Sequence, residues 1–218
     1  MTLEIPHLDL SADEVLTSTR SVRKRLDLER PVPIEVITDA LEVALQAPSG
    51  SNAQGWHWIV VTDPELRKTI ADYYRRSYYA YAEAGAAARA ANPPKDAETA
   101  AKVASSATYL ADVMDQVPAL VIGAIHVAGG ELPPGNQAGV WGSLLPAAWS
   151  LALALRERGL GSAWTTLHLQ YEQEVAAALG LPPNIRQGVL LPVAYTKGTD
   201  FKPAKRAPLE SVLHVNGW

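Results

Sequence analysis

The run VWGSLLPAAWSLALAL, residues 140–155, is the strongest constraint on what this chain can fold into. Its apolar residues do not keep to one face, and a helix that is hydrophobic all round must be covered on most sides. The run is interrupted by Ser143, Pro146 and Ser150 and closed by Arg156-Glu157-Arg158. It falls short of the ~18 apolar residues expected of a membrane span, so it predicts a core helix and no membrane contact. The first residues, MTLEIPHLDLSADEV, lack a basic stretch followed by an apolar one, which argues against a secretory leader. The expectation is a cytoplasmic globular protein. A net charge of −4 gives no basic footprint for nucleic acid. The absence of cysteine excludes disulfides, thiolate metal sites and cysteine nucleophiles.

Local signals divide the rest into helices and strands. Ser11 with Glu14 forms a capping-box pattern, with Leu10 and Val15 placed for a hydrophobic staple. Residues 33–48 have Ile34, Ile37, Leu41 and Leu45 at helical spacing, stopped by Pro48. WHWIVVT, 56–62, reads as a strand, and Asp63-Pro64 opens another helix. From 86 to 107 the chain is rich in alanine and broken by Asn92-Pro93-Pro94. Such small apolar residues anchor no core, so a flexible, solvent-facing excursion is expected, with a mobile cover over a site as the alternative. Residues 117–125, 161–167 and 187–196 read as strands, and 171–180 as an amphipathic helix ended by Gly180. The order predicts an α+β fold, a small sheet flanked by helices, with no linker dividing 1–218.

The common catalytic signatures G-x-S-x-G, H-E-x-x-H, the P-loop and G-x-G-x-x-G are absent. The five histidines are scattered and suggest no metal site. Three pieces remain. Arg20-Ser21-Val22-Arg23 offers two guanidiniums and a hydroxyl that would suit a phosphate, although Lys24, Arg25 and Arg30 nearby make a plain solvated charge run the simpler local reading. Lys205-Arg206 reads the same way alone. In APSGSNAQGWHW, 47–58, Asn52 and Gln54 carry paired donors and acceptors that match a heteroaromatic ring edge. Turn chemistry accounts for the same residues equally well.

In combination these pieces resemble the FMN-dependent nitroreductase family. The marks are RSVR at 20–23, PSGSNAQGW at 48–56, GLGSAW at 159–164, and Arg206 two residues before Pro208-Leu209-Glu210. The resemblance spans Thr19 to His214. It implies a three-layer α+β fold with a small central mixed sheet and an intertwined homodimer with FMN at the subunit interface. Carried over by position, Arg20, Ser21, Arg23 and Arg206 would hold the FMN phosphate and ribityl chain, with Lys205 adjacent. Pro48, Ser49, Gly50, Asn52 and Gln54 would approach the flavin from the other subunit. Thr165, Thr166 and Leu167 would turn backbone N–H groups toward flavin N5 and O4. NADH or NADPH would deliver hydride and a nitroaromatic or quinone would take it, in ping-pong order. Reductive dehalogenation, flavin breakdown and a non-enzymatic flavin module are the alternatives. No side chain is required as proton donor. Residues 70–135 would form a lid-like, variable part, with Tyr73, Tyr74, Tyr78, Tyr79 and Tyr81 as an aromatic wall or as ordinary helix packing. The chain departs from the family pattern at Thr19, Arg25, Gly55 and Thr165-Thr166.

Overall fold

The computed structural model describes residues 4–94 and 96–218; the first three residues of the N-terminal reading lie outside it. Helix α1 spans Ala12–Ser18 and opens on the expected capping box, Ser11 Oγ accepting from the Glu14 N–H while the Glu14 carboxylate accepts from the Ser11 N–H. Helix α2 spans Ile34–Ala44, and β1 spans Trp56–Val61. Helix α3 runs from Pro64 to Ala91, capped by the Asp63 side chain and started by proline at its first position. Helix α4 covers Ala97–Val113, β2 Ala119–His126, and α5 Ala138–Glu157. Strand β3 is Leu160–Ser162, α6 is Glu172–Leu179, and β4 is Ile185–Tyr195.

The sheet order is β1-β2-β4-β3 and every strand pair is antiparallel. Among the described residues, parallel pairing is confined to one bridge, Ser21 with Ser162, so the mixed character expected of the sheet reduces to that contact. Strand alternation builds two cores. Leu120, Ile122 and Leu190 face α3 and α4, with Ile70, Tyr74 and Leu110 packed on them. Ala119, Val121, Val189 and Leu191 face the other way, against Val36 and Ile37 of α2 and Leu151 and Leu155 of α5. The result is three layers, helices on both faces of a small sheet.

Three expectations change. The alanine-rich segment, expected as a flexible, solvent-facing excursion, is largely helical, α3 meeting α4, and much of it faces solvent. Alanine has the highest helix propensity, and that outweighs its small contribution to burial. The third strand is only three residues long, because the chain turns into a 3-10 segment, Leu167–Tyr171. Helix α5 is longer than the apolar run, long and apolar enough to cross a bilayer by length and composition alone. Here it is a packing element, with Leu144, Ala147, Ala148, Leu151 and Leu155 fully buried against the sheet and α2.

Candidate functional site

Residues 21–27 are laced to the edge of the sheet. The Val22 N–H donates to the Ser162 carbonyl at 2.8 Å, the Asp27 N–H to Tyr195, and the Lys197 N–H to Arg25. Gly161 makes the approach possible: a Cβ there would lie 2.7 Å from Thr196 Cγ2 and 2.9 Å from Val22 Cβ. Gly159, at φ +75°, turns the chain out of α5 into β3. The Gly-Leu-Gly pattern is thus what lets the basic run lie on the sheet.

That lacing sorts the basic run. Lys24 donates to Ser105 Oγ at 2.8 Å on α4. Arg25 donates to the Lys197 carbonyl and the Asp200 carboxylate, and its guanidinium lies 4.2 Å from the Phe201 ring centroid. Arg30 stacks on Tyr195. Arg20 donates to the Lys202 carbonyl at 3.2 Å, tying this run to the start of the C-terminal tail. Among the described residues, Arg23 is the cation of this run whose side chain has no hydrogen bond, ion pair or ring contact, since Arg30 has its contact with the Tyr195 ring.

Arg23 lines a cleft of about 400 Å³ together with Ala163–Leu167, Tyr74, Tyr78 and Tyr81 of α3, and Val103, Ala107 and Leu110 of α4. Burial pushes the Tyr74 phenol pKa up, against the Thr165 hydroxyl and the Arg23 charge, which pull it down. The Thr165 N–H donates to the Leu190 carbonyl at 3.1 Å, so it is not a free donor as expected. The Leu167 N–H is held only by Thr165 Oγ1 at 3.4 Å, and the Thr166 N–H has no partner among the described residues. Of the five tyrosines, three line the cleft. Tyr73 instead packs on Tyr171, and Tyr79 bonds to Asp112.

The Asn/Gln loop sits elsewhere. It forms a 3-10 turn at Gly50–Asn52, pinned to α5 where the Gly50 N–H donates to Ser143 Oγ at 3.0 Å. Ser51, Asn52 and Gln54 all have φ near +50°. Left-handed non-glycine residues cost of order 1 kcal/mol each, and such strain concentrates at ligand sites. Ser49 Oγ accepts from the Gln54 N–H, and Gln54 Nε2 donates to Asn52 Oδ1, leaving both amides exposed and side by side. Pro48 edges an apolar groove of about 660 Å³ between α1, α2 and α5.

The structure therefore gathers Arg23, Thr165, Thr166 and Leu167 into one cleft, ties Arg20 to the tail, and leaves Lys205 and Arg206 exposed on it. Ser21 lies at the bridge to Ser162. It does not bring Pro48, Ser49, Gly50, Asn52 and Gln54 to that cleft. Thr165 pairs with Leu190, Leu190 with Ile122 and Ile122 with Ile59, which spans the whole sheet. Three strand spacings separate them by roughly 14 Å. The loop is also on the α5 face, whereas the cleft is on the α3/α4 face. Sequence reasoning missed Trp164, Val103, Ala107 and Leu110. The signal for the last three was their spacing, which repeats that of Tyr74, Tyr78 and Tyr81. Among the described residues there is no cluster of potential metal ligands.

A cleft lined by Arg23 stands at one edge of the three-layer fold and an amide-bearing loop at the other, and the chain's family profile assigns it to a class of flavin-dependent oxidoreductases. The chain belongs to the nitroreductase family, whose profile matches residues 16–195. It is 29% identical over 181 residues to the iodotyrosine deiodinase of Thermotoga neapolitana, covering 83% of this chain and 86% of that one. Its fold superposes on iodotyrosine deiodinase bound to FMN and 3-iodo-L-tyrosine with a TM-score of 0.70 at 25% identity, covering 94% and 99% of the two chains. It also superposes on the FMN- and NADPH-dependent nitroreductase NfnB of sphigopyxis sp. strain HMH, with a TM-score of 0.67 at 22% identity over 96% and 100%.

Proposed function

We propose that the protein is an FMN-dependent oxidoreductase that takes hydride from NADH or NADPH and passes it to a nitroaromatic or quinone-type acceptor. It would work as a homodimer whose two sites are each built from both chains. The observation that carries this reading is the separation of the two halves: cleft and amide loop occupy opposite edges and opposite faces of one sheet. A second copy supplies the missing half to each.

The donor set fits FMN. Arg23, with Ser21 and with Arg20, Lys205 and Arg206 at the root of the tail, offers the forked cations and hydroxyl that a phosphate monoester takes. Asn52 and Gln54 present adjacent amides to a ring edge of alternating carbonyl and N–H groups. Bound FMN would supply the two-electron hydride chemistry. The protein's own work is binding and polarisation. The Thr166 N–H and the weakly held Leu167 N–H stand at the cleft wall, where preorganised donors stabilise negative charge as it develops. Tyr74, Tyr78 and Tyr81 wall the cleft, and the α3–α4 hairpin covers it as the lid-like part of a single unit. Reductant and acceptor would use this one cleft in turn, so ping-pong kinetics are expected.

The apolar groove supports the dimer. Leu16 and Val43, which line it, are exposed, as is Trp149 of α5, and so are Leu209, Val212, Leu213, Val215 and Trp218 on the tail. Apolar area on this scale marks an interaction surface. With α5 as part of the interface and the tail draped over the partner, both would be covered. Reductive dehalogenation on the same site is the second reading, favoured by the likeness to iodotyrosine deiodinases.

The deciding experiment is anaerobic mixing of FMN-loaded protein with NADH and with NADPH. Rapid loss of the yellow absorbance with either supports the reductase; retained colour with both rejects it. Sedimentation at micromolar concentration should give a dimer, and a monomer would reject the shared site.

A further inference from the structure

We infer that Phe201, gripped between Arg25 and Arg156, is a positioning residue that sets the C-terminal tail so that Arg206 meets the same phosphate as Arg23. This rests on the flavin reading above and adds Phe201 and Arg156 to the residues that serve it. Strand β4 ends at Tyr195, and from Lys197 to Trp218 every residue but Phe201 and Ala204 is exposed. Phe201 is the chain's one phenylalanine, and it packs on the core that holds Val22 and Leu26. Two guanidiniums lie over its ring, Arg25 at 4.2 Å from the centroid and Arg156 at 5.0 Å. Both distances fall within the ~6 Å over which a ring face attracts a cation. Arg156 stands in the last turn of α5 and is only 5% exposed. Its Nη2 donates to the Thr199 carbonyl at 2.9 Å, while Nε and Nη1 are buried with no hydrogen-bond partner among the described residues. A buried cation is costly unless something faces it, and here the Phe201 ring does.

The backbone around Phe201 is tied by the same kind of side chain. Arg25 Nε donates to the Lys197 carbonyl at 2.9 Å, and Arg20 Nη1 to the Lys202 carbonyl at 3.2 Å. Gly198 turns between them at φ +77°, where a Cβ would lie 2.8 Å from Arg25 Nη2. The ion pair of Arg25 with Asp200 adds little, because the Asp200 side chain is 86% exposed. Three arginines, two from the basic run and one from α5, thus hold residues 197–202. Arg206 follows four residues after Lys202. Four residues reach at most ~14 Å, so the place where Lys202 is held limits where the Arg206 guanidinium can go. Every contact in this clamp lies within one chain, so a partner subunit is not needed to form it.

The test compares FMN with riboflavin, which shares the ring system and lacks the phosphate. Each is titrated into flavin-free protein, following flavin fluorescence. Phe201→Leu keeps apolar bulk and removes the ring face. It should weaken FMN about fivefold or more, part of what losing a charge-assisted hydrogen bond costs, and leave riboflavin unchanged. Phe201→Tyr should keep wild-type FMN affinity. In an Arg206→Ala background Phe201→Leu should cause no further loss, because the two residues act through one contact. Unchanged FMN affinity in Phe201→Leu, an equal loss of riboflavin, losses that add, or a Phe201→Tyr variant as weak as Phe201→Leu each overturn the inference. The hold on the tail is read separately, by amide hydrogen exchange across residues 197–206 of the flavin-free protein. Faster exchange in Phe201→Leu than in the wild type is expected, and equal exchange overturns the clamp. Wild-type protein that binds neither flavin rejects the flavin reading, and hydrogen exchange then decides the clamp by itself.

Discussion

The Val22 N–H donates to the Ser162 carbonyl at 2.8 Å, and this one bond sets how far the basic run stands from the sheet. It forms only because Gly161, beside Ser162, leaves the space that Val22 fills. Gly161→Ala would put a methyl 2.9 Å from Val22 Cβ and 2.7 Å from Thr196 Cγ2. Overpacking of this kind costs about 1–3 kcal/mol. Relief by moving residues 21–23 outward would also displace Arg23. Urea denaturation should show the stability loss and flavin titration a parallel loss of affinity. A variant with both properties intact would contradict the role given to Gly161.

Arg23 and Lys24 are neighbours with different partners, which gives a second prediction. Arg23→Ala should weaken FMN retention tenfold or more, since charge-assisted hydrogen bonds contribute about 1.5–3 kcal/mol each. Lys24→Ala removes a bond to Ser105 and should leave retention nearly unchanged. Equal effects in equilibrium dialysis would count against the assignment.

That distinction marks what could be read from the chain beforehand. The capping box at Ser11, the Asp63-Pro64 helix start and the left-handed Gly180 after α6 are local, and each was legible. What separates Arg23 from Lys24 and Arg25 is not local. Ser105 lies 81 residues from Lys24, and Asp200 lies 175 from Arg25. The hairpin was missed for another reason: alanine forms helix readily yet supplies little apolar bulk, so its packing is visible only through the sparse stripe of Val103, Ala107 and Leu110. Family resemblance named the loop and the cleft as parts of one site, but their placement at opposite edges is a property of the strand order.

The strained loop predicts opposed effects on stability and binding. Gln54 has φ +49°, a region that glycine enters freely. Gln54→Gly relieves about 1 kcal/mol of backbone strain, partly offset by the entropy of the freer unfolded chain. It also removes the amide paired with Asn52. The melting temperature of the flavin-free protein should hold or rise, while flavin retention falls. A fall in melting temperature with retention unchanged would make the loop a structural turn and nothing more.

His168 makes stability depend on pH. It is fully buried in the 3-10 turn next to Leu167, and neither ring nitrogen has a hydrogen-bond partner among the described residues. Burial lowers its pKa from 6.5 to about 4, with Glu172 pulling weakly the other way. The unfolded chain therefore takes up a proton below pH 6.5 that the folded chain refuses. Stability from this group is complete above 6.5, declines as pH falls toward 4, and changes no further below that. The full loss is about 3 kcal/mol, from 1.36 kcal/mol per pKa unit. His168→Leu removes the titrating group and the two unpaired nitrogens while keeping apolar volume. Denaturation between pH 4 and 7 should show a shallower pH dependence in the variant than in the wild type. Identical slopes would mean that the imidazole is reached by solvent in the native state.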